Sequence, residues 1–182
     1  MIGPIRSRES STKSRSSSVR VRAIRPTDGA QLKLFYSRLS AESRRRRFFS
    51  ITSGLSQAQC VSFCTIDHDH EEGFVAVVDG RRNGRPQIVG HLCLEPDGAN
   101  ASEVAIAVAD EFQQQGIGRR LVAAGIAWAH REHVTRLSAT MLADNGAIHG
   151  LLARQGLPVR VRYVGSGVAE MTIDLAAERL AA

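Results

Sequence analysis

The chain of 182 residues is long enough for one domain with a substantial hydrophobic core. Hydrophobic residues make up 43% of it, but no apolar run reaches membrane length and the N-terminus lacks the apolar region of a secretory signal, so no membrane partner is expected. The net charge of +6 favours an anionic partner, whether cofactor or nucleic acid, and three cysteines, an odd number, argue against a disulfide framework and favour a cytoplasmic protein.

The first 18 residues differ in composition from the rest of the chain. Residues 1–18 are rich in serine and arginine and contain hardly any large apolar side chain. Such a segment buries too little apolar surface to offset its loss of conformational entropy. We therefore predict a disordered basic tail, followed by a single domain over residues 19–182. A tether for nucleic acid is an alternative role for the tail, but a solvated segment is the favoured interpretation.

The first elements of the domain are a strand and two helices. Val19–Ile24 alternates polar and apolar side chains and predicts a strand. Pro26–Asp28 then provides a helix start, and the apolar residues that follow at helical spacing are Leu32, Phe35, Tyr36 and Leu39. A second helix is predicted over Glu42–Phe49, with four consecutive arginines around its circumference. This spread predicts a solvated helix, and attraction of an acidic substrate or of cofactor phosphates is the alternative.

A possible zinc site follows in the sequence. Ser56–Thr65 reads as a short helix that carries Cys60 and Cys64, and His68 and His70 come shortly after it. These four side chains are zinc-ligand types, but their spacing is unusual for zinc. Buried cysteines also serve as small apolar core residues. We therefore predict that the protein has no metal site.

The remaining elements predict a sheet with interspersed helices. Three successive strands of this region, Gly73–Val78, Ile88–Leu94 and Ser102–Val108, are separated by turn-rich connections, so these three should be antiparallel. The predicted strands are Gly73–Val78, Ile88–Leu94, Ser102–Val108 and Leu137–Leu142, with a final hairpin around residues 163–168 that ends near Leu175. The predicted helices run from Gly118 to about His133 and from Asp144-Asn145 to Gly156.

One strand–helix junction has the features of an anion site. The strand Val104–Val108 leads into Gln113-Gln-Gln-Gly116-Ile-Gly118, and a helix follows. The first N–H groups of a helix lack partners within it and lie at the positive end of its dipole. Glycine lets a phosphate approach the backbone closely. The segment is neither a P-loop nor a dinucleotide fingerprint, since no Gly-Lys-Ser/Thr follows and Leu121 stands where the third glycine would be.

The motif Gln113-x-x-Gly116-x-Gly118 resembles the Q/R-x-x-G-x-G/A signature of the GNAT superfamily of N-acetyltransferases. The segment Ile24–Phe49 resembles the opening of its bacterial protein-lysine acetyltransferase branch, and the order of the elements is that of the superfamily. The resemblance covers residues 19–175. It implies an α+β fold, with a central mixed but mostly antiparallel sheet and helices on both faces. It also implies acetyl-coenzyme A as the acyl donor.

The same resemblance implies the cofactor-binding residues. The pyrophosphate would lie on the amides of the Gln-rich turn, and Asn145 would reach the pantetheine arm or the nucleotide. A helix cap is an equally good role for Asn145 and is compatible with cofactor binding. The residues expected to contact acetyl-coenzyme A are Ile106, Val108, Gln113, Gln114, Gln115, Gly116, Ile117, Gly118, Arg119 and Asn145.

Acetyl transfer to an amine needs a proton acceptor, because a lysine is almost fully protonated at pH 7. Period-two alternation places Glu103 on one face of its strand with Ala105 and Ala107, which leaves room beside a carboxylate. Taken alone, a glutamate at a strand end is more often a solvated residue. The resemblance implies the catalytic role, because Glu103 stands in the pattern A/S-E-x-A-x-x-V-x-D of the protein-lysine branch, where this glutamate is the general base.

Further roles follow from the same comparison. In the superfamily this strand separates from the next one, and a backbone N–H near Val108 stabilises the charge on the thioester oxygen. No general acid is assigned: Tyr163 is expected to pack in the core, and Asp110 is expected to be structural. The acceptor is expected to be an amine, and a protein lysine is favoured.

Two other functions stay open. One is acetylation of a small-molecule amine, and the other is a catalytically silent protein that senses acyl-coenzyme A or binds nucleic acid. The presence of Glu103 argues against lost activity, whereas the arginine-rich tail keeps the nucleic-acid alternative open. A nucleic-acid partner is not the expected one. The sequence leaves monomer and homodimer open.

Deletion of residues 1–18 should leave turnover on a small amine nearly intact, because a segment of this composition does not pack against the domain. The measurement is the steady-state rate of the truncated chain beside that of the full chain. Loss of turnover in a truncated chain that still folds would place the tail in the active site.

Overall fold

The computed structural model of the protein describes residues 18–49, 54–79, 86–154, 156 and 158–176. Nearly all of the predicted tail, residues 1–17, lies outside them, as does the end of the predicted domain, residues 177–182. The strands are β1 (Val19–Ala23), β2 (Glu72–Val78), β3 (Gln87–Pro96), β4 (Ala101–Val108), β5 (Arg136–Leu142), β6 (Val159–Gly165) and β7 (Val168–Asp174). The α-helices are α1 (Gly29–Arg38), α2 (Ala41–Phe48), α3 (Gln57–Cys64), α4 (Ile117–Arg131) and α5 (Gly146–Ala153).

The strands form one sheet in the order β1-β2-β3-β4-β5-β7-β6. Every neighbouring pair is antiparallel except β4 and β5, which are parallel because α4 crosses over between them. The predicted mixed and mostly antiparallel sheet is therefore confirmed. The parallel pair lies at the centre of the sheet, where the chain switches from its first half to its second.

Helices cover both faces of the sheet, as predicted. Alternate residues of β2 point to opposite sides, so that Val75 and Val77 contact the core of α1 and α3, and Ala76 and Val78 contact the core of α4. The four apolar residues predicted for α1 are at most 3% exposed. In α4 the buried indole of Trp128 also donates from Nε1 to the carbonyl of His68 at 3.1 Å. The helical and strand periods of the sequence therefore identify the core correctly.

The four arginines of α2 do not form a wholly solvated surface, and this part of the prediction is wrong. Arg45 and Arg46 bond to Glu42 on the exposed side of the helix. Arg44 and Arg47 are instead half-buried, and the Nε atom of each is shielded from solvent. The reason is that α2 packs against β4 and β5, so one side of the helix faces the protein interior.

The expected core position of Tyr163 is also wrong, since its side chain is 74% exposed. Its strand, β6, is at the edge of the sheet because β7 inserts between β5 and β6. The phenol therefore has a neighbouring strand on one side only.

The four possible zinc ligands have other surroundings. Cys60 and Cys64 are free thiols on α3, buried in the core that this helix shares with α1. The ring of His68 lies 2.8 Å from Glu72, and that of His70 lies 3.1 Å from Asp67. Among the described residues, no three His, Cys, Asp or Glu side chains are grouped so as to hold a metal ion. Within the same part of the chain, no helix has both the length and the apolar character needed to cross a bilayer.

Candidate active site

The candidate active site is a cleft where β4 and β5 separate. The two strands pair only between Ala101–Glu103 and Arg136–Ser138, although they continue to Val108 and Leu142. Beyond the paired residues a cleft of about 870 Å³ opens, bounded also by α2, the start of α4 and α5. The separation of the strands, which the family resemblance implies, is thus present in this chain.

Backbone amides of β4 face this cleft. The N–H of Ala109 donates to the carbonyl of Val89 at 2.9 Å, which directs it toward the β3 side of the strand. Successive N–H groups of a strand point in opposite directions, so those of Ile106 and Val108 point toward the separated β5. The side-chain amide of Gln113 donates to the carbonyl of Val108 at 3.1 Å. That bond leaves the N–H of Val108 available to a ligand.

The turn into α4 presents further unpaired amides. Gly116 precedes the helix with φ of +79°, a conformation that glycine adopts without strain, and it has no side chain with which to cap the helix. The first N–H of the helix region with a backbone acceptor in the described chain is that of Arg120, which donates to Gly116 at 3.2 Å. The N–H groups of Ile117, Gly118 and Arg119 are therefore free to bind an anion.

Asp110 fixes this turn to α2. Its carboxylate accepts hydrogen bonds from the N–H of Ser40 at 2.9 Å, from the Ser40 hydroxyl at 2.6 Å and from the Ser43 hydroxyl at 2.7 Å. Partial burial opposes ionisation of Asp110, but these hydrogen bonds outweigh it and lower its pKa. Gln113 Nε2 adds a bond of 3.2 Å to the Ser43 hydroxyl. The contacts agree with the structural role expected for Asp110.

The opposite wall of the cleft comes from β5 and α5. Asn145 stands at the position before α5, yet its side chain makes no capping hydrogen bond, so the capping alternative is wrong. The residue is only 5% exposed and lines the cleft beside Gly146. Its amide is thus positioned to meet a ligand in the cleft.

Glu103 lies at the closed end of the cleft, at the last paired position of β4. It is exposed, and its Oε1 accepts a hydrogen bond of 3.0 Å from the hydroxyl of Thr140, which lines the cleft. Glu103 itself is not among the lining residues. In the described chain, its Oε2 has no hydrogen-bond donor and is available to accept a proton.

Eight of the ten predicted cofactor-binding residues line the cleft, and two do not. Gln115 is exposed and its side chain donates to the carbonyl of Glu111 at 2.8 Å, whereas Ile117 is 2% exposed and packs in the core. Their side chains therefore do not line the cleft, although the N–H of Ile117 is unpaired at the start of α4. The eight that line the cleft are Ile106, Val108, Gln113, Gln114, Gly116, Gly118, Arg119 and Asn145.

The sequence analysis did not find Ser43 or Thr140, and it gave a role of the α2 arginines toward an anionic ligand only as the alternative. Ser43, Arg46 and Arg47 line the cleft and occur at i, i+3 and i+4, a spacing that marks one face of a helix. With Arg119 and Arg154, the described part of the cleft wall carries four arginines and no carboxylate. Free helix-start amides in a cationic cleft suit the phosphates of coenzyme A.

Comparison with known proteins identifies the family. The model of the acetyltransferase (GNAT) family matches residues 37–157. "Acetyltransferase Pat" of Mycolicibacterium smegmatis is 30% identical over 117 residues, which are 64% of this chain and 34% of that protein. The chain thus spans about a third of the length of this relative.

Solved structures agree with this assignment. The GNAT domain of S. lividans PAT is 26% identical with a TM-score of 0.74, and the match covers 86% of this chain and 90% of that one. YncA of Salmonella typhimurium, solved with acetyl-CoA, is 16% identical with a TM-score of 0.68, and the match covers 86% and 94% of the two chains. The region matched by the family model contains β4, the turn and α4, so the chain belongs to the GNAT family of acetyltransferases.

Proposed function

We propose that the chain acetylates lysine side chains of proteins by direct transfer from acetyl-CoA, with Glu103 as the general base. The observation that carries the proposal is the place of Glu103, a carboxylate with a free oxygen at the closed end of the cleft. The resemblance of residues 24–49 to the protein-lysine branch and the similarity to two proteins named Pat favour a protein acceptor.

Each part of the cleft has a task in this proposal. The amides of Ile117, Gly118 and Arg119 would hold the pyrophosphate of acetyl-CoA, and the amides of Ile106 and Val108 would hold its arm and thioester oxygen. Bound there, acetyl-CoA supplies the acetyl group as an activated thioester. The Thr140 hydroxyl orients the Glu103 carboxylate, whose Oε2 takes the proton of the acceptor ammonium. The free amine is then the nucleophile.

The acceptor class is tested with isotope-labelled acetyl-CoA added to cell lysate, followed by identification of the labelled products. The proposal is supported if the label appears on lysines of a limited set of proteins. The labelling must also require the full chain and be lost with the Glu103→Gln variant. Label confined to small amines would contradict the protein acceptor and leave acetyl transfer in place. Absence of enzyme-dependent label would favour the catalytically silent alternative.

Asn145→Ala should weaken acetyl-CoA binding about threefold and hardly change the free energy of unfolding. The side chain makes no capping hydrogen bond, so the loss of about 1 kcal/mol typical of a missing cap is not expected. Calorimetric titration with acetyl-CoA and a denaturant melt measure the two quantities. A loss of stability with unchanged affinity would restore the capping role and remove Asn145 from the binding site.

A further inference from the structure

Arg47 differs from the other arginines that line the cleft. Its neighbour Arg46 donates from Nε to Glu42 at 2.6 Å, so its charge is balanced on the same helix. Among the described residues, Arg47 has no carboxylate within ion-pair distance. The described part of the cleft wall therefore contains one half-buried arginine that forms no ion pair.

The hydrogen-bonding capacity of the Arg47 guanidinium is poorly satisfied by its contacts. Its Nη2 donates to the Cys93 thiol at 3.3 Å, and a thiol sulfur is a weak acceptor. Its guanidinium carbon lies 5.0 Å from the centre of the Phe48 ring. The Nε is shielded from solvent without a hydrogen-bond partner. The guanidinium also contacts the hydroxyl of Tyr36. A guanidinium removed from water in this way costs free energy unless an anion compensates it.

Burial opposes the charge of Arg47, and the exposed carboxylate of Glu95 favours it from beyond ion-pair distance. The other groups beside the guanidinium carry no charge. The Tyr36 hydroxyl lies 2.8 Å from Nδ1 of His91. Burial, together with the charge of Arg47, lowers the pKa of His91 to about 3, so the imidazole is neutral at physiological pH. Burial also raises the pKa of Tyr36 and that of Cys93, which keeps the phenol and the thiol protonated. Tyr36, His91 and Cys93 are therefore neutral neighbours of Arg47, and Glu95 is not close enough to form an ion pair with it.

Strand register places this cation close to the reacting centre. Cys93, which Arg47 contacts, is directly opposite Ala105 on β4, and Glu95 is opposite Glu103. Ala105 and Glu103 share one face of the strand, one pleat repeat of about 7 Å apart. An acceptor whose amine reaches Glu103 thus extends past Arg47 on the same face of the sheet. The length of a lysine side chain is comparable to this separation.

We propose that Arg47 is a specificity-determining residue that binds a carboxylate of the acceptor, carried close to the amine that is acetylated. The inference rests on the proposed acetyl transfer at Glu103 and adds the chemical class of the acceptor. The carboxylate belongs either to an acidic residue beside the target lysine of a protein or to the α-carboxylate of a free amino acid. Both present the same anion to the guanidinium.

The test compares acceptors that differ only in this charge. One pair is a capped Lys-Asp peptide and its Lys-Asn counterpart, and the other is Nα-acetyl-lysine and Nα-acetyl-lysinamide. Release of coenzyme A gives kcat/KM for each acceptor. We expect the full chain to favour the carboxylate member about fivefold, as for one charge-assisted hydrogen bond at a partly exposed site. The pair that shows the preference identifies the source of the carboxylate.

Arg47→Gln should reduce that ratio to about one, whereas Arg46→Gln, on the same wall but paired with Glu42, should retain it. Arg47→Lys, which keeps the charge, should retain part of the preference and serves if the glutamine variant fails to fold. A purely structural Arg47 would lower kcat/KM equally for both members of a pair. Equal kcat/KM values in the full chain, or a preference that survives undiminished in Arg47→Gln, would overturn the inference while acetyl transfer itself stands.

Discussion

Glu103→Gln is expected to lower turnover at pH 7 by roughly 10²–10⁴-fold while leaving acetyl-CoA affinity almost unchanged. The acceptor amine is only about 1 part in 2,500 free base at that pH, so a proton must leave during the reaction. Glutamine keeps the shape of the side chain and its contact with Thr140, but it has no basic oxygen. The expected loss is that of one positioned proton acceptor.

The pH profile separates lost basicity from lost structure. Raising the pH should recover part of the rate of Glu103→Gln, since more of the acceptor arrives already neutral. Glu95→Gln is the matched control, because it removes an exposed carboxylate directly opposite Glu103 on β3. That variant should change turnover by only a few-fold and show no recovery in alkali. Wild-type turnover of Glu103→Gln, measured where chemistry is rate-limiting, would exclude Glu103 as the base.

The fold was predictable because its signals are local. Leu32, Phe35, Tyr36 and Leu39 occur at helical spacing, and all four are buried against the sheet. The turn chemistry after Val108 likewise predicted where β4 ends and α4 begins. Tyr163 is the counterexample, because whether a strand is central or at the edge depends on the order of strands in space. That order places β7 between β5 and β6 and leaves Tyr163 exposed.

The candidate site was predictable where one short segment builds it. Gly116, Gly118 and Glu103 belong to a single strand–turn–helix unit, and the motif specifies their spacing. Arg47 and Thr140 come from elements far apart in the chain, which meet only when α2 packs against β4 and β5. Helical periodicity predicts that the four arginines are spread around α2. It does not predict which side of the helix packs against the sheet. The same limit applies to Ile117, whose side chain points into the core although it stands within the motif.

Gly118→Val is expected to weaken acetyl-CoA binding at least tenfold, or about 1.4 kcal/mol. Gly118 lies in the first turn of α4 and lines the cleft, where a side chain would keep a phosphate away from the helix-start amides. The structure adds a second effect, because a Cβ at this position would lie 3.3 Å from Cδ2 of Leu151 on α5. A branched side chain there must displace Leu151 as well as block the anion site.

Combining Gly118→Val with Leu151→Ala separates the two effects. The shortened Leu151 removes the crowding between α4 and α5. The valine side chain is still expected to keep a phosphate from approaching the backbone closely. Affinity of the double variant, measured by calorimetry against Leu151→Ala alone, should therefore remain at least tenfold lower. Recovery of affinity would assign the loss to displacement of α5. Unchanged affinity in the folded single variant would remove the turn from the acetyl-CoA site, because close approach to the Gly118 backbone would then be unnecessary.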